Sequence, residues 1–331
     1  MCLHLKELKQ VVLIAKAGWA ENELKTAVSL GSRNPARMYS PGLRTVGQKI
    51  GWRCRLLSSP LRALPEFLII GAMKSGTSSL FHYLRQHPQL VPAKKKEVHY
   101  FDGGGLGQAE SGEKSLNWYR SHFPLQRMMP HNSMTYEATP MYLCHRSAAK
   151  RIYDVRPNMK LILMLRNPTE RAIAHYLHSK SNRSDAEFLH AAMEEEVARL
   201  SSVLPRAGEN LETLDYTSYV SRGLYRKQIE NYLAYFDRDS IFIINSEEFF
   251  DDPRTIFPAL FEFLNIQSDS IINDLTARNV SQRPKHAWSR TRELLDDFFR
   301  PHNEELFEFL GKKYDWNEAG SGEVVERAAP T

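Results

Sequence analysis

The chain has 331 residues, 42% of them hydrophobic and 25% charged, enough for one large domain or two small ones around an ordinary apolar core. Its net charge of +5 is unevenly placed: residues 1–62 hold eleven Lys and Arg against three Glu, whereas the rest hold 33 basic and 36 acidic side chains. The basicity belongs to a leader, and no basic stripe interleaves with aromatics, so a nucleic-acid partner is excluded. Cys2, Cys54 and Cys144 are far apart and lack metal-ligand spacing, a pattern of reduced compartments rather than of a disulfide framework. No apolar run reaches the roughly 18–20 residues a membrane helix needs. The best run, Val11 to Ala20, is short and broken by Lys16. The expected organisation is a basic leader over 1–63, one domain over 64–317 and a disordered tail over 318–331. The leader is open to three readings: an unstructured extension, an organelle-targeting segment, or an upstream start with Met38 as the true one.

In chain order, Glu66–Gly71 carries Phe-Leu-Ile-Ile, a strand buried on both faces as in a parallel sheet. Gly71–Gly76 reads as a tight loop, and Thr77–Gln86 as a helix ended before His87-Pro88. Residues 90–133 read as irregular, with a Gly-rich patch at 103–107. Met134–Ala138 is a short strand, His145–Val155 a helix and Lys160–Leu165 a second long buried strand. Pro168 opens a helix that runs to Ser179. Asp185–Leu200 is amphipathic and acidic, Pro205–Asp215 a loop, and Tyr216–Phe236 a helix. Ser240–Asn245 is another buried strand, Pro253–Leu264 another crossover helix, and Thr291–Leu310 a long closing helix. Buried strands alternating with helices predict an α/β fold, a three-layer sandwich around a central parallel sheet in a single domain.

The segment Phe67-Leu-Ile-Ile-Gly-Ala-Met-Lys-Ser-Gly-Thr-Ser-Ser79 is the most informative. A Gly-rich loop between a buried strand and a helix presents backbone amides and the positive helix end to an oxyanion. Thr77, Ser78 and Ser79 add hydroxyls, and Lys74 adds a mobile cation. Gly71 and Gly76 have the spacing of the nucleotide-triphosphatase loop, yet Thr77 stands where that loop has lysine, and the lysine lies two residues before the second glycine. The strand at Ile241–Ile244 runs into Asn245-Ser246, with no acidic residue at its end. A P-loop-like phosphate site results, with a nucleoside-triphosphate-dependent phosphotransferase as the rival enzyme. A non-catalytic nucleotide-binding interaction module is the rival of another class.

Further pieces follow in a fixed order: His87-Pro88, Lys96-Glu-Val-His-Tyr-Phe101, Glu137-Ala-Thr-Pro-Met-Tyr142, Leu165-Arg-Asn-Pro-Thr-Glu-Arg-Ala172, Arg222-Gly-Leu-Tyr225 and Phe298-Phe-Arg-Pro-His-Asn303. Over roughly residues 64–317 the chain resembles the sulfotransferases that use 3′-phosphoadenosine 5′-phosphosulfate, in particular the heparan-sulfate N-/O-sulfotransferase branch and its bacterial relatives. The resemblance implies transfer of a sulfuryl group to a hydroxyl or amine of an acceptor, with a saccharide as the expected partner and no metal. It implies that Lys74, Ser75, Gly76, Thr77 and Ser78 grip the 5′-phosphosulfate, with Lys74 stabilising the leaving phosphate. Glu97 takes the place of the general base, and His99 shares or tunes that role. In an extended segment the two side chains would share a face. Arg166 takes the place of the residue that binds the 3′-phosphate. The family's serine partner there is Ala174, a departure that His175 or another side chain would have to offset. Arg283, with Lys285 behind it, is the candidate for a basic turn that clasps the same phosphate. Tyr225 and Gln228 read as structural. The lack of a signal anchor points to a cytoplasmic enzyme.

Overall fold

The computed structural model describes residues 41–103, 115–179, 185–207, 218–267, 272–278 and 288–316. The chain divides into two units at Arg55/Leu56. A helix, α1 (Pro41–Leu57), begins in the first and ends two residues past that point.

The second unit is built on a five-stranded, all-parallel sheet. The strands are β1 (Phe67–Gly71), β2 (Leu90–Pro92), β3 (Met134–Ala138), β4 (Lys160–Leu165) and β5 (Ile241–Asn245), in the spatial order β2-β3-β1-β4-β5. Every residue of β1 is buried, as is all of β4 except Lys160. That is why these segments read as unbroken apolar runs rather than as alternating ones. Leu68 lies opposite Glu137 on β3 and Leu161 on β4.

The two sheet faces are covered separately. Leu68, Ile70, Leu161 and Leu163 meet α5 (Ala148–Val155), α8 (Tyr225–Leu233) and α11 (Ser289–Leu310) through Ile152, Ile229 and Leu306. Phe67, Ile69 and Ile162 meet α2 (Thr77–Leu84) and α10 (Phe257–Leu264) through Leu80, Leu84, Leu260 and Leu264. Each such side chain withdrawn from water contributes about 1.5–3 kcal/mol. A further apolar cluster joins α6 (Pro168–Ser179) and α7 (Ala186–Ala207) to α11 through Ile173, Leu189, Met193, Leu295 and Phe299. Short helices α3 (Leu116–Arg120), α4 (Met141–Cys144) and α9 (Ser246–Asp251) complete the unit.

The expected three-layer α/β sandwich is therefore the fold. The differences are local. The edge strand β2 and helix α3 fall inside the stretch read as irregular; Pro92 ends β2 after three residues, too short a run for its periodicity to show. The helix expected from Tyr216 begins at Tyr225. Before it, the carboxylate of Glu196 accepts the amides of Tyr219, Val220 and Ser221 at 2.9, 2.7 and 3.0 Å, so these donors bond a side chain rather than a helical turn. Gly223 sits in the same bend against Phe299 and Pro168, where a Cβ would come within 2.8 Å of both.

Candidate active site

Strands β1, β3, β4 and β5 end on the same edge of the sheet. The chain visits one side of β1 through β2 and β3 and then the other through β4 and β5, which opens a crevice at the carboxyl end of β1. The loop Gly71–Gly76 lies there, tied to its neighbours by backbone and side chain. Ala72 N–H donates to the Met164 carbonyl at 2.8 Å, and the Ser246 hydroxyl donates to the Ser75 carbonyl at 2.5 Å. Arg166 Nη1 donates to the Lys74 carbonyl at 3.0 Å.

Lys74 and Gly76 both adopt left-handed backbone, φ 71° and 93°. At Gly76 an added Cβ would lie 2.7 Å from the Phe250 ring, so conformation and space both demand glycine. No side chain caps the start of α2, where backbone amides and helix dipole favour an anion. The Ser75 hydroxyl is fully buried and has no hydrogen-bond partner. Leaving such a donor alone costs about 1–3 kcal/mol, which a bound oxyanion would recover. These residues fit a phosphosulfate group. Half-burial, then the charges of Arg166 and Lys96, push the Lys74 ammonium below its ordinary pKa, with Glu97 opposing.

Glu97 reaches the same edge because its N–H donates to the carbonyl of Ala138, the last residue of β3, at 2.9 Å. It is not in extended backbone, nor is His99: both are left-handed, φ 62° and 56°. The side chains meet all the same, with His99 Nε2 at 3.8 Å from Glu97 Oε2. His99 Nδ1 lies 2.6 Å from Oδ2 of Asp102, whose side chain is 1% exposed. Asp102 is thus a member of the site that the reading of the sequence missed; the signal was present as Glu97-x-His99-x-x-Asp102. Lys96 Nζ sits 2.6 Å from Glu97 Oε1. Hydrogen bonding to Asp102 first, and the nearby carboxylate of Glu97 second, raise the His99 pKa to about 9. The His99 ring 3.8 Å away, with the Lys96 ammonium, holds the Glu97 carboxyl down at about 2 against the opposing effect of burial. At neutral pH Glu97 is a carboxylate and His99 an imidazolium.

Arg166 leaves β4 as expected and faces the loop, and Tyr225 Oη donates to its carbonyl at 2.8 Å. Gln228 bonds the carbonyls of Arg222 and Leu224, both at 3.1 Å, so Tyr225 and Gln228 are structural. His175 does not offer a cation in place of the missing serine. It is buried beside Arg171 and Arg222, and desolvation, then those two charges, depress its pKa to about 2. Arg283 and Lys285 lie outside the described residues, as does most of the Gly-rich patch. Among the described residues no group of three acidic, His or Cys side chains could hold a metal. No helix among them is long and apolar enough to cross a membrane.

Residues 64–319 match the sulfotransferase domain family. A membrane-associated sulfotransferase, kil1, of Dictyostelium discoideum is 25% identical, over 80% of this chain and 69% of its own. Heparan sulfate glucosamine 3-O-sulfotransferase 3A1 of Mus musculus is 28% identical, over 86% of this chain and 73% of its own. The crystal structure of a sulfotransferase from Alicyclobacillus acidocaldarius is similar over 77% of this chain and all of that one, with 27% identity and a TM-score of 0.59. The cytoplasmic assignment does not stand beside these relatives, one of which is membrane-associated and another of which acts on heparan sulfate. With the family model matched over most of the chain, and Lys74, Glu97 and Arg166 gathered on one sheet edge, this chain belongs to the sulfotransferase family and is an enzyme of sulfuryl transfer.

Proposed function

We propose that the enzyme takes its sulfuryl group from 3′-phosphoadenosine 5′-phosphosulfate and delivers it to a saccharide hydroxyl or amine, with Glu97 as base. The observation that carries this reading is the convergence of Lys74, Glu97, His99 and Arg166 at one sheet edge, three of the four in left-handed backbone. Strained backbone of this kind costs about 1–3 kcal/mol per residue and is kept where function needs it. The saccharide acceptor is taken from the heparan sulfate relatives.

When bound, the cosubstrate supplies an activated sulfur whose bond to the phosphate oxygen breaks as the bond to the acceptor forms. Glu97 receives the acceptor's proton, which an alcohol must shed to attack at neutral pH. A carboxylate held at about 2 is a weak base, and the Lys96 ammonium 2.6 Å away contributes to that. The Lys74 ammonium and the amides of α2 face the charge that builds on the leaving phosphate. Arg166 serves twice, as brace of the loop carbonyl and as ligand for the 3′-phosphate.

Calorimetry with 3′-phosphoadenosine 5′-phosphate against ATP plus magnesium tests the cosubstrate, and tighter ATP binding would reject it. A labelled-sulfate assay on an acceptor panel tests the base. Glu97→Gln is expected to lose about 10²–10⁴-fold in turnover, the usual worth of a general base.

A further inference from the structure

Glu137 is a carboxylate with no exposed surface, placed by β3 directly behind the loop that carries Glu97 and His99. An isolated charge there would be costly, and burial does push its pKa up. It is instead surrounded by donors. Tyr119 Oη and Tyr142 Oη both donate to Oε1 at 2.9 Å, and Thr139 Oγ1 donates to Oε2 at 3.0 Å. The backbone N–H of Val98 faces the same carboxylate as a further donor and opposes the effect of burial. Tyr142 Oη in turn accepts the N–H of Tyr100 at 3.0 Å.

These contacts have a pattern. Val98 and Tyr100 are the residues on either side of His99; the amide of Tyr100 reaches Glu137 through Tyr142, and that of Val98 faces the same carboxylate. The amide of Glu97 ends on Ala138, the neighbour of Glu137. Glu97 and His99 are the left-handed residues of this stretch. A non-glycine residue holds such a conformation when its surroundings over-determine it. Aromatic packing closes the arrangement: Tyr100 stacks on Tyr119 at 4.4 Å, and Phe101 lies edge-on to Tyr142 at 5.4 Å.

We infer that Glu137 is a positioning residue for sulfuryl transfer, a buried acceptor that fixes the backbone on both sides of His99 so that the imidazole stays between Asp102 and Glu97. It touches neither substrate, and its effect passes through the amides of Val98 and Tyr100. The inference rests on the assignment of Glu97 and His99 as catalytic groups.

The test is Glu137→Gln, with Tyr142→Phe as a milder break in the same chain of bonds and Glu97→Gln as reference. The amide of Gln keeps the volume but cannot accept from all four donors. Glu137→Gln is expected to lower kcat at least tenfold and Tyr142→Phe about threefold or more. KM for the cosubstrate and the affinity for 3′-phosphoadenosine 5′-phosphate should stay within twofold of wild type, because the loop at Lys74–Ser78 is untouched. The alkaline limb of the pH–rate profile should also move in both variants, since the His99 surroundings change. A merely structural role predicts otherwise: turnover and nucleotide-binding capacity fall together with the folded fraction, and the limb stays in place. That outcome, or unchanged kcat in both variants, overturns the inference. If Glu97→Gln is inactive while both variants turn over normally, the inference alone fails. If Glu97→Gln is fully active, the assignment beneath it fails as well. Should Glu137→Gln not fold, Tyr142→Phe decides by the same readouts.

Discussion

The three charged side chains of the proposed site, Lys74, Glu97 and His99, sit in backbone that most residues avoid, φ 71°, 62° and 56°. That shared oddity explains how much of the site could be read in advance. Lys74 was legible because its signal is contiguous: strand, glycine loop and helix lie within thirteen residues. Glu97 and His99 were legible as family positions, but their geometry was expected to be extended. Asp102 escaped because its pairing with His99 depends on a turn that periodicity does not encode. Its contribution is measurable. His99 stays protonated up to about pH 9, chiefly through Asp102, and Glu97 stays ionised down to about 2. Turnover that needs imidazolium and carboxylate together should therefore fall on the alkaline side as His99 deprotonates. In Asp102→Asn the largest cause of the raised value is gone. The alkaline limb of kcat/KM should then shift from about 9 toward the ordinary histidine value of roughly 6.5. A limb that stays in place would remove His99 from the rate equation.

At the level of elements, the carboxyl ends of four strands divide the labour. β1 provides the loop, β3 the anchor for Glu97, β4 the arginine and β5 the serine that braces the loop from beneath. β3 and β4 were placed to the residue from their sequences: β4 is the apolar run of a strand buried between neighbours, and β3 stops before Thr139-Pro140. The start of α8 and the strand β2 were not, because Glu196 and the short edge run lie outside any periodic signal. The junction of β1 and α2 turns on Gly76. Gly76→Ala faces both a positive φ and a 2.7 Å approach to Phe250. Each effect costs on the order of 1–3 kcal/mol. We expect a lower thermal midpoint and at least a tenfold loss of affinity for 3′-phosphoadenosine 5′-phosphate, read by calorimetry and thermal unfolding. Wild-type affinity would mean that the turn is not part of the grip.

For the molecule as a whole, the loop is roped to β4 and β5 through the Met164 carbonyl, Arg166 and Ser246, so occupancy of the site and integrity of the sheet are linked. A ligand that binds the folded chain at a hundred times its Kd stabilises it by about 2.7 kcal/mol. For a domain of this size that is on the order of 5–10 °C in midpoint. 3′-Phosphoadenosine 5′-phosphate should produce this rise, and Arg166→Ala should abolish most of it. ATP plus magnesium at the same concentration should produce little. A rise with ATP alone would favour the phosphotransferase reading.

The order of the strands also bears on time. β1 pairs with β3 and with β4, so Phe67 lies beside Tyr136 and Lys160, and the loop's last brace, Ser246, comes later still. Contacts so distant along the chain carry a large closure entropy and form slowly. As the polypeptide leaves the ribosome, β1 must wait for most of the domain before it has both neighbours. Nucleotide-binding competence should therefore be among the last properties to appear when the denatured protein refolds. Stopped-flow refolding with a fluorescent nucleotide should show binding lagging the recovery of helical signal, and simultaneous recovery of the two would contradict this.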